Sequence, residues 1–334
     1  MNLASLTFPL ESRIYIAGHR GLAGSAIVRE LHRQGYTNLV TRTHAELDLE
    51  DAAATQRFFE HEKPEIVFLA AAKVGGILAN NSYPVDFLMS NLLVEANVCR
   101  AAHRANVKRM IFLGSSCIYP RDCPQPIREE YLLTGPLEAT NRPYALAKIA
   151  GIEMCWSYNR QYGTKWLAAM PTNLYGPGDN YDLKNSHVLP ALMRKMHEAK
   201  MSGAKEVVLW GSGKPKREFL YVDDLANALV FLAMLDDKRY DALVAPSQCP
   251  LINIGTGTDL TIRELAETVA EVVGYQGRFV QDTSKPDGTM RKVMDVSRIN
   301  GLGWKAATSL KEGIALTYKE FTLQNIQPAQ SAKS

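Results

Sequence analysis

The stretch that most constrains this chain is Gly18-His19-Arg20-Gly21-Leu22-Ala23-Gly24, which follows directly on the short apolar run Arg13-Ile14-Tyr15-Ile16-Ala17 and opens a segment of helical period. A strand that turns into a helix through spaced glycines lets the backbone approach a pyrophosphate closely. The helix start adds unpaired N–H groups and the positive end of its dipole. The natural ligand of such a turn is a dinucleotide. The spacing is G-x-x-G-x-x-G, one position away from G-x-G-x-x-G, so the strand before and the helix after carry part of the argument; without them an ordinary glycine-rich turn reads the same.

The wider pattern supplies that context. From residue 12 to 105 short β-branched runs alternate with longer segments of helical period, as in β-α-β units that build a parallel sheet. Strands are expected over residues 13–17, 38–41, 65–71, 108–114 and 165–170, with helices over 84–105 and from about 142. After Pro171 the texture changes to loops rich in Pro, Gly and Asn. Thr261-Ile262-Arg263-Glu264 and Ser309-Leu310-Lys311-Glu312 both match the capping box and predict helix starts. The expected fold is α/β, a Rossmann-type doubly wound parallel sheet with a smaller C-terminal α/β substrate-binding lobe. The boundaries expected are 12–171 for the dinucleotide-binding domain, which later segments can rejoin, 172–324 for the lobe and 325–334 for a flexible tail.

Charge and length exclude several functions. The 334 residues carry 38 Lys and Arg against 35 Asp and Glu, a net +3 with no run of like charge, so neither a nucleic-acid nor a membrane surface is expected. The apolar stretches at 66–72 and 228–235 fall far short of a bilayer span. Five cysteines with no C-x-x-C pair and no zinc spacing fit a reducing compartment, and the N-terminus lacks the pattern of a secretory signal. The expectation is a cytoplasmic protein without a metal.

The end of the second strand selects the cofactor, because an acidic residue there accepts the ribose 2′-OH and repels a 2′-phosphate. Here it reads Thr41-Arg42-Thr43-His44. Arg20 and Arg42 supply two guanidinium groups for a phosphate and His44 a further hydrogen bond, which favours NADP (NADPH) over NAD, the alternative being a merely solvated Arg42. Tyr144 and Lys148 stand four apart on one helix face, where an ammonium favours the phenolate and brings tyrosine towards acid-base chemistry. Ser115 and Ser116 close a sheet strand at the end where ligands of open α/β sheets gather. A serine hydroxyl and a phenol there can share one carbonyl oxygen.

Glycine loop, Ser115, Tyr144 and Lys148, in that order, resemble the extended short-chain dehydrogenase/reductase family. The strings Gly114-Ser115-Ser116-Cys117-Ile118-Tyr119-Pro120, Pro171-Thr172-Asn173-Leu174-Tyr175-Gly176-Pro177, Asn185-Ser186-His187-Val188 and Lys285-Pro286-Asp287-Gly288-Thr289 are similar to one branch of it. Members of that branch epimerise and then reduce the nucleotide sugar GDP-4-keto-6-deoxy-D-mannose. The resemblance runs from about Ile14 to Tyr318. It implies that Cys117 removes a proton beside the ketone, that His187 returns one, that Ser115 orients the ketone, and that Tyr144, tuned by Lys148, protonates its oxygen. By themselves, Cys117 reads rather as a small buried filler and His187 as a loop or cap residue; the resemblance is what reverses this.

The same resemblance assigns cofactor contacts to Gly18, His19, Arg20, Gly21, Leu22, Ala23 and Gly24, to Leu113, Gly114, Ser115 and Ser116, to Lys148, and to Pro171, Thr172, Asn173, Leu174 and His187. Asp48 and Leu49 fall at the adenine. Lys195, Trp210, Arg217 and Asp287 fall at the GDP, although Trp210 suits core packing as well. Three positions depart from the family pattern: Tyr181-Asp182-Leu183, Tyr221 and Met290. A homodimer through the helices at 84–105 and 142 onward is implied; apolar residues from Phe87 to Val98 and from Ile149 to Trp156 are compatible with such a face and equally with core packing. The other readings are a 4-epimerase or 4,6-dehydratase with tightly held NAD, against which Ser116-Cys117 and Arg42 argue, and a non-catalytic NADPH sensor, against which Tyr144 and Lys148 argue.

Overall fold

The computed structural model describes residues 7–183, 186–284 and 287–326. Lys184, Asn185, Lys285 and Pro286, the first six residues and the tail from 327 onward lie outside the described residues. The elements in chain order begin with β1 (Ile14–Ala17), α1 (Leu22–Arg33), β2 (Leu39–Val40), α2 (Ala52–Glu62), β3 (Ile66–Leu69), α3 (Ile77–Ser82), α4 (Pro84–Arg104) and β4 (Arg109–Leu113). There follow α5 (Arg142–Tyr162), β5 (Trp166–Pro171), β6 (Asn173–Tyr175), α6 (Val188–Ser202), β7 (Glu206–Trp210), β8 (Lys216–Arg217) and β9 (Phe219–Tyr221). The chain continues with α7 (Val222–Ala233), α8 (Asp237–Leu243), β10 (Leu251–Ile254), β11 (Leu260–Thr261), α9 (Ile262–Val273), β12 (Arg278–Asp282), β13 (Arg291–Lys292), α10 (Ser297–Gly301) and α11 (Leu310–Ile326).

Six strands form a parallel sheet in the order β10-β5-β4-β3-β1-β2. Helices cover both faces: α1 packs against α7, and α4 against α2 and α5. That two-sided cover is why β1 and β3 are apolar at every position and buried throughout, rather than alternating. The strands are shorter than the apolar runs suggest. The second spans only Leu39–Val40, and the third stops at Leu69 because the chain there turns beneath the glycine loop.

The order of strands reverses between β1 and β3, and ligands of open sheets bind in the crevice above such a reversal. A second core gathers Leu189, Met193 and Met196 of α6, Val207 and Leu209 of β7, Leu265 and Val269 of α9, and Ile314 of α11. Residues 222–254 do not stay with it: β10 extends the large sheet beside β5, and α7 packs in the first core. The capping box at Thr261 and Glu264 forms in full, and Glu312 N donates to Ser309 Oγ at 3.3 Å. Among the described residues no helix is long and apolar enough to cross a membrane.

Candidate active site

The glycine loop lies at the reversal, and its backbone explains its composition. Gly18 has φ +84°, and a Cβ there would stand 2.7 Å from Ala71 N just past β3. A Cβ on Gly24 would stand 2.1 Å from Gly18 O, so that glycine is what lets α1 close on the loop. Gly21 caps α1 with no side chain, and the first turn of α1 holds no acidic residue. Free N–H groups and the positive dipole end therefore stay open to an anion, an arrangement that fits a dinucleotide pyrophosphate. Leu22 and Ala23 pack on the first core, and His19 Nδ1 is buried with no hydrogen-bond partner among the described residues.

Beyond β2, Arg42 is anchored rather than merely solvated. Its Nη2 lies 2.6 Å from Glu62 Oε1, its Nη1 donates to Thr41 O at 2.7 Å, and its guanidinium rests over the Phe58 ring. Arg42 and Arg20 both act on the Glu46 carboxylate, so the two cations do share a neighbourhood. His44 and Asp48 are exposed, 3.8 Å apart, and Leu49 is buried.

At the end of β4 the chain makes one short 3-10 turn. Ser115 caps it, its Oγ accepting from Cys117 N at 3.3 Å, with Ser116 buried behind. Gly114 leaves room for the Met170 side chain, which a Cβ would meet at 2.0 Å. Tyr144 and Lys148 sit one turn apart near the start of α5, and Ser115 hydrogen-bonds the Tyr144 phenol. Lys148 Nζ donates to Leu113 O at 3.1 Å and lies 3.1 Å from Glu95 Oε1 on α4.

The sequence suggests an ammonium that draws Tyr144 towards phenolate. The structure corrects this: burial pushes the phenol well above the ordinary tyrosine range, Cys117 and Glu95 add to the rise, and only the Ser115 hydrogen bond opposes it. Lys148 stands 5.9 Å from the phenol ring centroid, its charge committed to Glu95.

His187 comes from a separate element, as the N-cap of α6. Among the described residues it shares no hydrogen bond, ion pair or ring contact with the other four. It is open to solvent yet crowded enough by protein that desolvation pushes its imidazole below the ordinary histidine range. Past β5, Pro171 and Leu174 frame Thr172 and Asn173, whose Oγ1 and Nδ2 both donate to Glu218 O, at 3.2 and 2.8 Å.

In the second lobe, Trp210 is 59% exposed, which removes it from core packing, and Lys195 Nζ sits 4.9 Å above its ring. Burial lowers both Lys195 and Arg217 from their ordinary values. Arg217 Nη1 is pinned by Thr289 O at 2.5 Å. Asp287 accepts from Ser212 N and Oγ at 2.8 and 2.7 Å, hydrogen bonds that hold its carboxyl below the ordinary range and tie down the loop after Trp210. Of the departures from the family pattern, Tyr221 is buried beside Tyr175 and Tyr181 packs on Phe321, so neither reshapes an open surface; Met290 is exposed.

Two residues near the chemistry escape sequence reading. Lys292, on the two-residue strand β13, places Nζ 3.9 Å from Cys117 Sγ, and nothing local marks it. Glu95 does leave a signal, since it falls on the α4 face that also carries Phe87, Asn91 and Val98, all buried.

A glycine cradle at the sheet reversal, with serine, tyrosine and lysine gathered at the next strand end, defines a dinucleotide-dependent dehydrogenase/reductase. The chain belongs to the NAD dependent epimerase/dehydratase family, whose model matches residues 14–244. It is 57% identical to GDP-L-fucose synthase 1 of Arabidopsis thaliana over 315 residues, 94% of each chain. Identity to GDP-L-fucose synthase of Escherichia coli (strain K12) is 54% over 311 residues, 93% of this chain and 97% of that one. Among solved structures, a GDP-D-glycero-L-gluco-heptose synthase from Campylobacter jejuni, crystallised in the presence of NADPH, superposes with a TM-score of 0.87 at 39% identity, covering 94% of this chain and 99% of that one.

Proposed function

We propose that the chain makes GDP-L-fucose, by epimerising GDP-4-keto-6-deoxy-D-mannose at C3 and C5 and then reducing C4 with NADPH. One observation carries the reading: Cys117 lies in the same short turn as Ser115, within electrostatic reach of Tyr144. A plain reductase needs serine, tyrosine and lysine. A thiol beside the same carbonyl is what epimerisation adds. The extent of identity to the GDP-L-fucose synthases supports the substrate class, a GDP-linked sugar.

NADPH, when bound, would supply the hydride for C4. The rest falls to the chain's own residues. Ser115 hydrogen-bonds the ketone oxygen, which stabilises the enolate formed when Cys117 takes the proton from C3 or C5. His187 returns a proton to the opposite face. Tyr144, kept as a phenol by burial, donates its proton to the C4 oxygen during reduction. Lys148 holds the ribose next to the nicotinamide with the donor that Leu113 O and Glu95 leave over. Arg217 and Lys195 face the diphosphate, with the Trp210 indole beside them.

A homodimer through α4 and α5 also fits. Phe87, Val98 and Ile149 point into the chain's own core, whereas Val85, Met89 and Leu93, four apart on α4, are exposed together with Leu146 of α5.

The direct assay follows NADPH absorbance with GDP-4-keto-6-deoxy-D-mannose. Oxidation that depends on this sugar is expected. Binding of NADPH with no turnover would point to a sensor, and tightly retained NAD to a 4-epimerase or dehydratase; either result overturns the reading.

A further inference from the structure

Glu95 is buried completely, 0% exposed, yet it belongs to none of the roles above. It reaches Lys148 Nζ at 3.1 Å through Oε1, and otherwise neither of its oxygens has a hydrogen-bond partner among the described residues. An ion pair left this poorly satisfied in a core contributes little to stability, and apolar residues of the same volume commonly do better there. The protein also makes room for it. Gly151, in the interior of α5, would put a Cβ 2.3 Å from Phe112 Cζ and 2.7 Å from Glu95 Oε2, so a glycine that weakens the helix leaves space for the Phe112 ring and the carboxylate together.

We infer that Glu95 is a positioning residue that balances the charge of Lys148 and so keeps Tyr144 in the protonated form that C4 reduction requires. This rests on the function proposed above. Reduction moves the phenol proton onto the C4 oxygen as the hydride arrives at C4, leaving Tyr144 as phenolate. An unbalanced ammonium beside the ring would strip that proton beforehand.

The groups facing Tyr144 are Lys148 on its own helix, Ser115 and Cys117 from the turn after β4, and Glu95 from α4. Cys117 in turn faces Lys292, and Glu95 faces the free thiol of Cys155, which is hydrogen-bonded to the free thiol of Cys99. Burial raises Tyr144 most, Cys117 and then Glu95 add to the rise, and the Ser115 hydrogen bond lowers it. Burial raises the Glu95 carboxyl, and the Lys148 charge is what opposes that rise. Removing the Glu95 charge therefore lowers the value at which the phenol ionises.

The test is Glu95→Gln, with Glu95→Asp as the variant that keeps the charge at a shorter reach. The alkaline limb of kcat should move to lower pH by roughly one unit or more in Glu95→Gln. It should move less in Glu95→Asp, with KM changed little in either. A readout that needs no turnover is the ultraviolet phenolate titration of the NADPH-free protein, taken as a difference from the same protein carrying Tyr144→Phe. It should show the same acidward shift. A limb and a titration that stay at the wild-type pH, or an even loss of activity at all pH values, overturn the inference. Wild-type protein that fails to oxidise NADPH with GDP-4-keto-6-deoxy-D-mannose overturns the functional reading instead, and the phenol titration still decides the role of Glu95.

Discussion

A single proton carrier explains its neighbours better than its motif does. Tyr144 and Lys148 are visible at four-residue spacing, but the phenol sits high rather than low, because burial raises it and Cys117 and Glu95 add to the rise, while Lys148 is paired with Glu95. Sequence spacing reports that two side chains share a helix face and is silent about a third from another helix. His187 raises the complementary question. The residue that returns a proton must hold one, and desolvation lowers its imidazole below the ordinary value of about 6.5. Its protonated fraction therefore falls as pH rises through that lowered value. Deuterium uptake at C3 and C5, measured by NMR across pH, should show a descending limb below about 6.5. His187→Gln should cut uptake on the order of a hundredfold and abolish the limb. A limb well above that value contradicts the assignment.

At the level of elements, the first β-α-β unit was legible because its constraints are local. Gly18 needs a left-handed backbone against Ala71, and Gly24 needs the absence of a Cβ against Gly18 O. Gly24→Ala should weaken NADPH at least tenfold, about 1.4 kcal/mol, in a fluorescence titration, with the helical content of the protein unchanged. Affinity equal to wild type would show that the loop yields at no cost. The short strand β13 was illegible for the opposite reason. Arg291 and Lys292 join a sheet only by pairing with β8, seventy-odd residues earlier, and nothing in their own sequence predicts that Lys292 arrives at Cys117. Glu218 is similar: its side chain accepts from Thr256, Gly257 and Met294 backbone N–H groups, so one buried carboxylate ties together the loops behind the site.

Across the whole molecule, the alternation of strands and helices gave the sheet and its crevice, while the division into lobes depends on long-range returns. The strand β10 leaves the C-terminal half to pair with β5, which its apolar run alone does not dictate. The apolar positions of α4 and α5 left core and interface equally open at the sequence level, because an apolar helix position can point to core or to solvent and only packing decides. If the exposed stripe is an interface, Met89→Lys with Leu93→Glu should convert a dimer to a monomer in sedimentation velocity, with NADPH binding retained. An unchanged sedimentation coefficient would place the interface elsewhere.

The central claim is that one pocket performs both isomerisation and reduction, and solvent isotope tests it most directly. GDP-4-keto-6-deoxy-D-mannose incubated with the protein in deuterium oxide, without NADPH, should gain deuterium at C3 and C5. Cys117→Ser should slow that uptake on the order of a hundredfold or more while binding NADPH as wild type does. Uptake that persists at the wild-type rate in Cys117→Ser, or no uptake in the wild-type protein, contradicts the account.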